Sequence, residues 1–372
     1  MSQKFGCISV RFGTPIHLNK YCTQAGKKDM SSHALVSQLA YDITNVMTQR
    51  SACMPSHLVA TLLLMYRQGI SKTQLVVLTN WLRLEVLLRG GHVLCVEGAS
   101  KVSIVERALE LLSSFILRRR RDHIEPAIDQ RDAYANMIGL GYYRNKIVHL
   151  FDKEGVVAVS HYAISNLKES CETVLQSTLL QRSAFVFTLL AREFVRSPQM
   201  NVENEMEKTL ELMISRSILI PVKNNHIAIA PAGESMHSLL CAMIWPFIDS
   251  YWVAVMSLFA LHPPNNCITH GELTQRMMWL AETLYHESVI AYYESCSIET
   301  LNNAIGTLRK MHVVEIIDGQ RIRLTEAYQA VEPLRALAAQ ISEYRKVPLA
   351  SQQMDHERLN HLFAEFPVLA KL

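Results

Sequence analysis

Residues 6–21 read GCISVRFGTPIHLNKY, and the fold reading starts there. Cys7-Ile8-Ser9-Val10-Arg11-Phe12 alternates and is rich in β-branched and aromatic side chains, the pattern of a strand. Gly13-Thr14-Pro15 stops it, because Gly tolerates positive φ and Pro has no N–H for a ladder. A lone strand of this length does not persist in water and must join a sheet. The next hundred residues read as helix. The partners of this strand are therefore short, drawn from far along the chain, or absent from it.

The chain has 372 residues, enough for two or three domains and a large core. Hydrophobic residues make up 49% and charged residues 19%, so the chain is not disordered. A net charge of +3 argues against a strong nucleic-acid binder. Eight Cys are scattered with no C-x-x-C pair, the usage of reduced intracellular thiols rather than of a disulfide framework or a zinc site. The N-terminus reads as neither a signal peptide nor a transit peptide.

Working outward, residues 20–32 form a polar linker. Residues 32–50 carry Leu35, Leu39, Ile43 and Val46 on one helical face. Pro55 opens a second helix, which Gln68-Gly69 ends. Ser71-x-x-Gln74 starts a third, running to about Leu88, and residues 100–117 read as a fourth. Arg118-Arg119-Arg120-Arg121 then reads either as a patch for phosphates or anionic headgroups, or as a helix C-terminus whose dipole favours cations. Residues 142–164 read as one long buried helix interrupted near Gly155, and residues 169–196 as another helix. Two later segments share a layout of helix, strand, tight turn, strand: residues 203–229, turning at Asn224-Asn225, and residues 297–324, turning at Asp318-Gly319. That is the skeleton of a winged-helix module, or a compact cap on a helical layer. Residues 238–261 are the most apolar run and long enough to span a bilayer, yet hold Pro246 and Asp249. They read as a span, as a core helix, or as a helix lying in a membrane interface with Trp245 and Trp252 as anchors.

No phosphate-binding glycine loop, nucleophile elbow or metalloprotease motif is present. His92 and His149 are each followed five residues on by Glu, a spacing that chance alone supplies among fifteen His and thirty-four acids. Catalytic and metal-binding residues are assigned to none.

The opening stretch resembles the last strand of the acyltransferase domain in glycerol-3-phosphate acyltransferases, with Arg11, Phe12, Gly13, Pro15, Leu18 and Tyr21 in the family's places. Residues 32–71 look like the segment that follows it in the mitochondrial, animal-type enzymes, above all at Met54, His57, Leu58 and Tyr66-Arg67-x-Gly69. Residues 141–151 match a Tyr-x-Asn-x-x-x-His-x-Phe signature at Tyr143, Asn145, His149 and Phe151, and residues 246–252 resemble a further family segment. The family uses a His-x4-Asp motif, the His deprotonating the glycerol hydroxyl and the Asp orienting the imidazole. No His in this chain has Asp five residues on. The resemblance therefore implies the C-terminal portion of such an enzyme. Acyl-CoA is then a co-substrate rather than a cofactor, and glycerol 3-phosphate and acyl-CoA are held by a preceding domain. It further implies a membrane surface as partner, at the mitochondrial outer membrane, with no nucleic acid. The matched residues, Arg11, Phe12, Gly13, Pro15, His57, Tyr143, Asn145, His149 and Phe151, take structural roles. Whether the chain is itself an enzyme stays open.

The expected fold is mainly α: a multi-helix domain, an N-terminal strand left over from an α/β acyltransferase sheet, and two short β-hairpins. Its expected ranges are 1–30 for the end of the α/β domain and linker, 31–200 for a helical domain, and 201–372 for a helical domain with helix–hairpin units. The competing reading is a non-catalytic helical adaptor built on winged-helix-like units.

Overall fold

The structure is a computed structural model that describes residues 9–24, 30–94, 100–119, 122–127, 133–167, 173–197, 199–262 and 267–346. It is mainly helical, with small sheets and hairpins. Two compact units divide it. The first takes Met1–Phe151 and Phe194–Asn201; the second takes Asp152–Glu193 and Val202–Leu372.

In the first unit, α1 is Leu18–Thr23 and α2 is Ser32–Arg50. There follow β1 Ala52–Cys53, α3 Pro55–Met65, β2 Ile70–Ser71, α4 Lys72–Leu88, β3 His92–Val93, α5 Lys101–Leu111, β4 Ile116–Arg119, β5 His123–Pro126 and α6 Ala133–Val148. Local chemistry sets these bounds. Pro55 sits in the first turn of α3, where a missing N–H costs nothing. Gly69 takes φ +100° to turn the chain after it. The Ser71 hydroxyl accepts from Gln74 N at 3.2 Å and so caps α4. Helix α3 is the core, with Leu58, Val59, Leu62 and Leu63 shut from solvent and packed on α4, α5 and α6.

The second unit runs α7 Asp152–Leu167, β6 Thr173–Leu175, α8 Gln176–Leu189, α9 Val202–Ser215, β7 Leu219–Val222 and β8 His226–Ile229. It continues with α10 Glu234–Ser257, β9 Ile268–Thr269, α11 His270–His286, α12 Ile298–Lys310, β10 Val314–Ile317, β11 Arg321–Leu324 and α13 Val331–Ser342. Both hairpins turn through positive φ where expected, at Asn224 and Asn225 and at Asp318 and Gly319.

The hairpins belong to a larger repeat. Each of three segments runs helix, short strand, helix, helix, hairpin: α3-β2-α4-α5-β4-β5, α7-β6-α8-α9-β7-β8 and α10-β9-α11-α12-β10-β11. In each, the short strand pairs antiparallel with the second hairpin strand, giving the orders β2-β5-β4, β6-β8-β7 and β9-β11-β10. That is winged-helix topology three times over. In each, too, the first helix packs on the helix that follows the hairpin: α3 on α6, α7 on α10, α10 on α13.

Several expectations are corrected. Residues 9–17 form no strand, and Val10 and Phe12 are 70% and 88% exposed. No strand among the described residues lies beside them, and an unpaired ladder gains nothing; Cys7 and Ile8 lie outside the described residues. The fourth helix ends at Leu111, and Ile116 already begins β4. The break between 142 and 164 falls at residues 149–151 rather than at Gly155. Gly155 lies inside α7, where a Cβ would stand 2.5 Å from Ile244 Cγ1 and 3.1 Å from the Leu240 carbonyl oxygen. Its work is to admit α10 at close range. The helix expected over 169–196 is α8, which begins at Gln176 behind β6. The run at 238–261 lies mostly within α10, long and apolar enough to cross a membrane, with 94% of its most apolar window buried in the protein. Inside that helix Ser250 Oγ lies 3.0 Å from the Pro246 carbonyl oxygen and 2.7 Å from that of Ser295.

Candidate functional site

The matched residues fall into two groups, both in the first unit. Arg11, Phe12, Gly13 and Pro15 lie on the exposed segment before α1. A Cβ on Gly13 would stand 2.7 Å from Val46 Cγ1, so the segment runs close to the C-terminal end of α2. Ser9, Val10, Arg11, Val46, Met47 and Arg50 line an open groove there. Helix α2 has no buried residue in its nineteen positions, and Val36, Ile43 and Met47 are exposed.

The second group gathers where α3 meets α6. The His57 ring lies 5.9 Å from the Tyr143 ring, and Tyr143 meets Phe115 edge-on at 6.0 Å. His57 Nδ1 accepts from Met54 N at 3.1 Å, which satisfies a backbone donor at the start of α3. That bond fixes the tautomer with its proton on Nε2. Burial, with Lys146 nearby, lowers the His57 pKa to about 4, so the ring is neutral at ordinary pH. Asn145 Oδ1 accepts from Arg144 Nε at 3.2 Å and from Nη2 at 2.9 Å. Burial lowers the pKa of His149 as well. Phe151 is fully buried, with the Arg89 guanidinium 4.6 Å from its ring centre and Glu85 2.6 Å from Arg89. His57 and Tyr143 are thus brought together, while the segment bearing Arg11 and Phe12 sits apart at α2.

This cluster can cap and pack; among the described residues it holds no acid bonded to His57 to orient it as a base. Among the described residues no group of three or more His, Cys, Asp or Glu is placed to hold a metal ion.

Three buried polar clusters of the second unit escaped the sequence reading. Asp249 is fully buried and meets Arg345 Nε at 2.6 Å. Arg345 Nη2 also donates to the Val289 carbonyl at 2.7 Å, and its guanidinium lies 3.7 Å from the Trp252 ring centre. Burial raises the Asp249 pKa and Arg345 opposes the rise. Glu193 accepts from Tyr251 Oη at 2.9 Å and Asn303 Nδ2 at 3.4 Å, with burial pushing its pKa up to about 7. His161 and His237 meet edge-on, 5.4 Å between ring centres. The one signal for any of these was an Asp inside an apolar run; their partners lie tens of residues away in sequence.

Residues 1–316 match the family described as the glycerol-3-phosphate acyltransferase C-terminal region. The chain is similar to human dihydroxyacetone phosphate acyltransferase, 22% identical over 340 residues that cover 85% of this chain and 48% of that protein. The rabbit protein of the same name is 21% identical over the same shares. Rat mitochondrial glycerol-3-phosphate acyltransferase 1 is 30% identical over 170 residues, covering 43% of this chain and 20% of the relative. The likeness thus extends further along the dihydroxyacetone phosphate acyltransferases than along that mitochondrial enzyme. The chain spans about half the length of these first relatives. With a match over residues 1–316 of 372, the chain belongs to the glycerol-3-phosphate acyltransferase C-terminal region family.

Proposed function

We propose that this chain is the non-catalytic C-terminal part of an acyltransferase. The whole enzyme moves a fatty acyl group from acyl-CoA to a hydroxyl of a three-carbon phosphate, glycerol 3-phosphate or dihydroxyacetone phosphate, in glycerolipid synthesis. This part holds the catalytic domain and attaches it to a membrane, which by the original family resemblance is the mitochondrial outer membrane. The observation that carries the reading is the exposed apolar segment at residues 9–17 lying along α2, a helix with no wholly buried side chain. Apolar surface of this extent marks a docking site, and the strand-like pattern of the segment suits the edge of a catalytic sheet. The lack of a His-x4-Asp in these 372 residues supports the absence of turnover. In this reading His57 and Tyr143 fasten α3 to α6, Phe151 packs against Arg89, and neither they nor Asn145 and His149 serve any chemistry.

Acyl transfer by the purified chain, offered acyl-CoA and either acceptor, is the test. No turnover above a no-enzyme control is expected. An added acyltransferase domain bearing His-x4-Asp is expected to dock, and Val10→Asp with Phe12→Asp to abolish docking. Turnover by the chain alone overturns the reading. The three winged-helix-like modules favour a second reading, a helical adaptor for another protein; docking that ignores Val10 and Phe12 would support it.

A further inference from the structure

Helix α4 is apolar on two faces. Leu75, Thr79, Leu82 and Val86 point into the first unit and are buried. Val77, Leu84 and Leu88 recur at helical spacing on the opposite face and are 64%, 47% and 66% exposed, with Leu87 beside them and half-buried Trp81 between. The repeat supplies an internal comparison. Helix α8 holds the same place in the second module and exposes Ser177, Gln181 and Thr188. Helix α11 holds it in the third and exposes Glu272, Gln275 and His286, with Trp279 the one large apolar exception. The outward face of a second helix in this module is therefore polar unless something covers it.

Charge points to what covers α4. Arg83 and Lys101 line a recess beside the stripe, together with Asn80 and Thr79. Neither Arg83 nor Lys101 has an ion-pair partner among the described residues, while the nearby acids are engaged, Glu85 by Arg89 and Glu106 by Lys72. A leucine-rich stripe with a tryptophan, flanked by two cations without an ion pair, is the composition of a surface that meets an anionic membrane interface.

We propose that the outer face of α4 contacts a bilayer of anionic phospholipid: Val77, Trp81, Leu84 and Leu88 enter the acyl-chain boundary, and Arg83 and Lys101 take headgroup phosphates. This surface rests on the membrane-attachment reading above and gives it an address. It is independent of acyl transfer, so flotation and turnover fail separately.

The test is co-flotation of the full chain with phosphatidylcholine vesicles, with and without phosphatidylserine. Binding is expected with phosphatidylserine. Leu84→Asp with Leu88→Asp is expected to cut the bound fraction about tenfold. Arg83→Gln and Lys101→Gln are each expected to weaken binding to the anionic vesicles alone, about fivefold. Because acidic variants can misfold, tryptophan quenching by brominated lipid is read on the wild type, where quenching is expected and Trp81→Phe is expected to remove most of it. Absence of flotation overturns the proposal, as does flotation indifferent to Leu84 and Leu88. So does a dimer in light scattering that Leu84→Asp splits, since a second copy would then be the occupant.

Discussion

The His57 imidazole works as an acceptor, and that makes it a proton-sensitive fastening. Its pKa is about 4 in the folded chain and near 6.5 once exposed. Between those values the unfolded chain binds more protons than the folded one, so stability rises with pH across the window and falls as pH drops through it. The limiting slope is about 1.4 kcal/mol per pH unit for one such group. His237, also lowered to about 4 by burial, adds a second. The expected result is a urea midpoint that falls steeply from pH 6.5 to pH 4, with a shallower fall in His57→Asn; an unchanged slope in that variant would assign the proton uptake elsewhere. At this scale the sequence was partly legible. Asn-Asn and Asp-Gly named their turns because the types that tolerate positive φ are few. Gly155 misled because a glycine that breaks a helix and one that admits a neighbouring helix look alike until the neighbour is known.

Helix α10 shows how an apolar run with one acid resolves. Pro246 and Asp249 argued against a plain span. Helix α10 runs on through Pro246, whose missing N–H leaves the Ala242 carbonyl without its helical donor. Arg345, ninety-six residues on, meets Asp249. A buried pair of this kind is costly to halve and cheap to replace whole. Arg345→Met is expected to cost about 3–5 kcal/mol by leaving Asp249 buried without its partner. Asp249→Leu combined with Arg345→Met is expected to cost less than Arg345→Met alone, measured as denaturant midpoints of the three proteins. Additive losses would mean that the pair contributes through packing on Trp252 rather than through charge. The acid was legible in the sequence; its partner was not, because no local pattern ties residue 249 to residue 345. The hairpin of β4 and β5 was missed for a related reason: in sequence neither Gly nor Asn lies between its two strands.

Across the whole molecule, three modules of winged-helix topology raise the question of nucleic acid, which their surfaces answer. The third helix of such a module is the one that enters a groove, and phosphate neutralisation by Lys and Arg drives its binding. In the second module that helix is α9, which carries Glu203, Glu205, Glu207 and Glu211 against the single Lys208. In the third it is α12, where Leu301, Ala304, Ile305 and Leu308 are buried, Asn303 bonds Glu193, and a Cβ on Gly306 would meet Arg192 at 2.6 Å. That helix is already occupied by the protein. In the first, α5 balances Lys101 and Arg107 with Glu106 and Glu110. The net charge of +3 adds no long-range pull. Fluorescence anisotropy with a labelled duplex at physiological salt is therefore expected to give only binding at the weak end of the non-specific range, a Kd of about 10⁻⁴ M or weaker. Micromolar affinity that falls steeply with salt would show a basic face that these three helices do not supply. The repeat has been turned instead to helix packing, each module's first helix clasped by the helix after its hairpin. Among the described residues, the outer face of α4 and the segment before α1 carry several of the most exposed apolar side chains, Val77, Leu88, Val10 and Phe12.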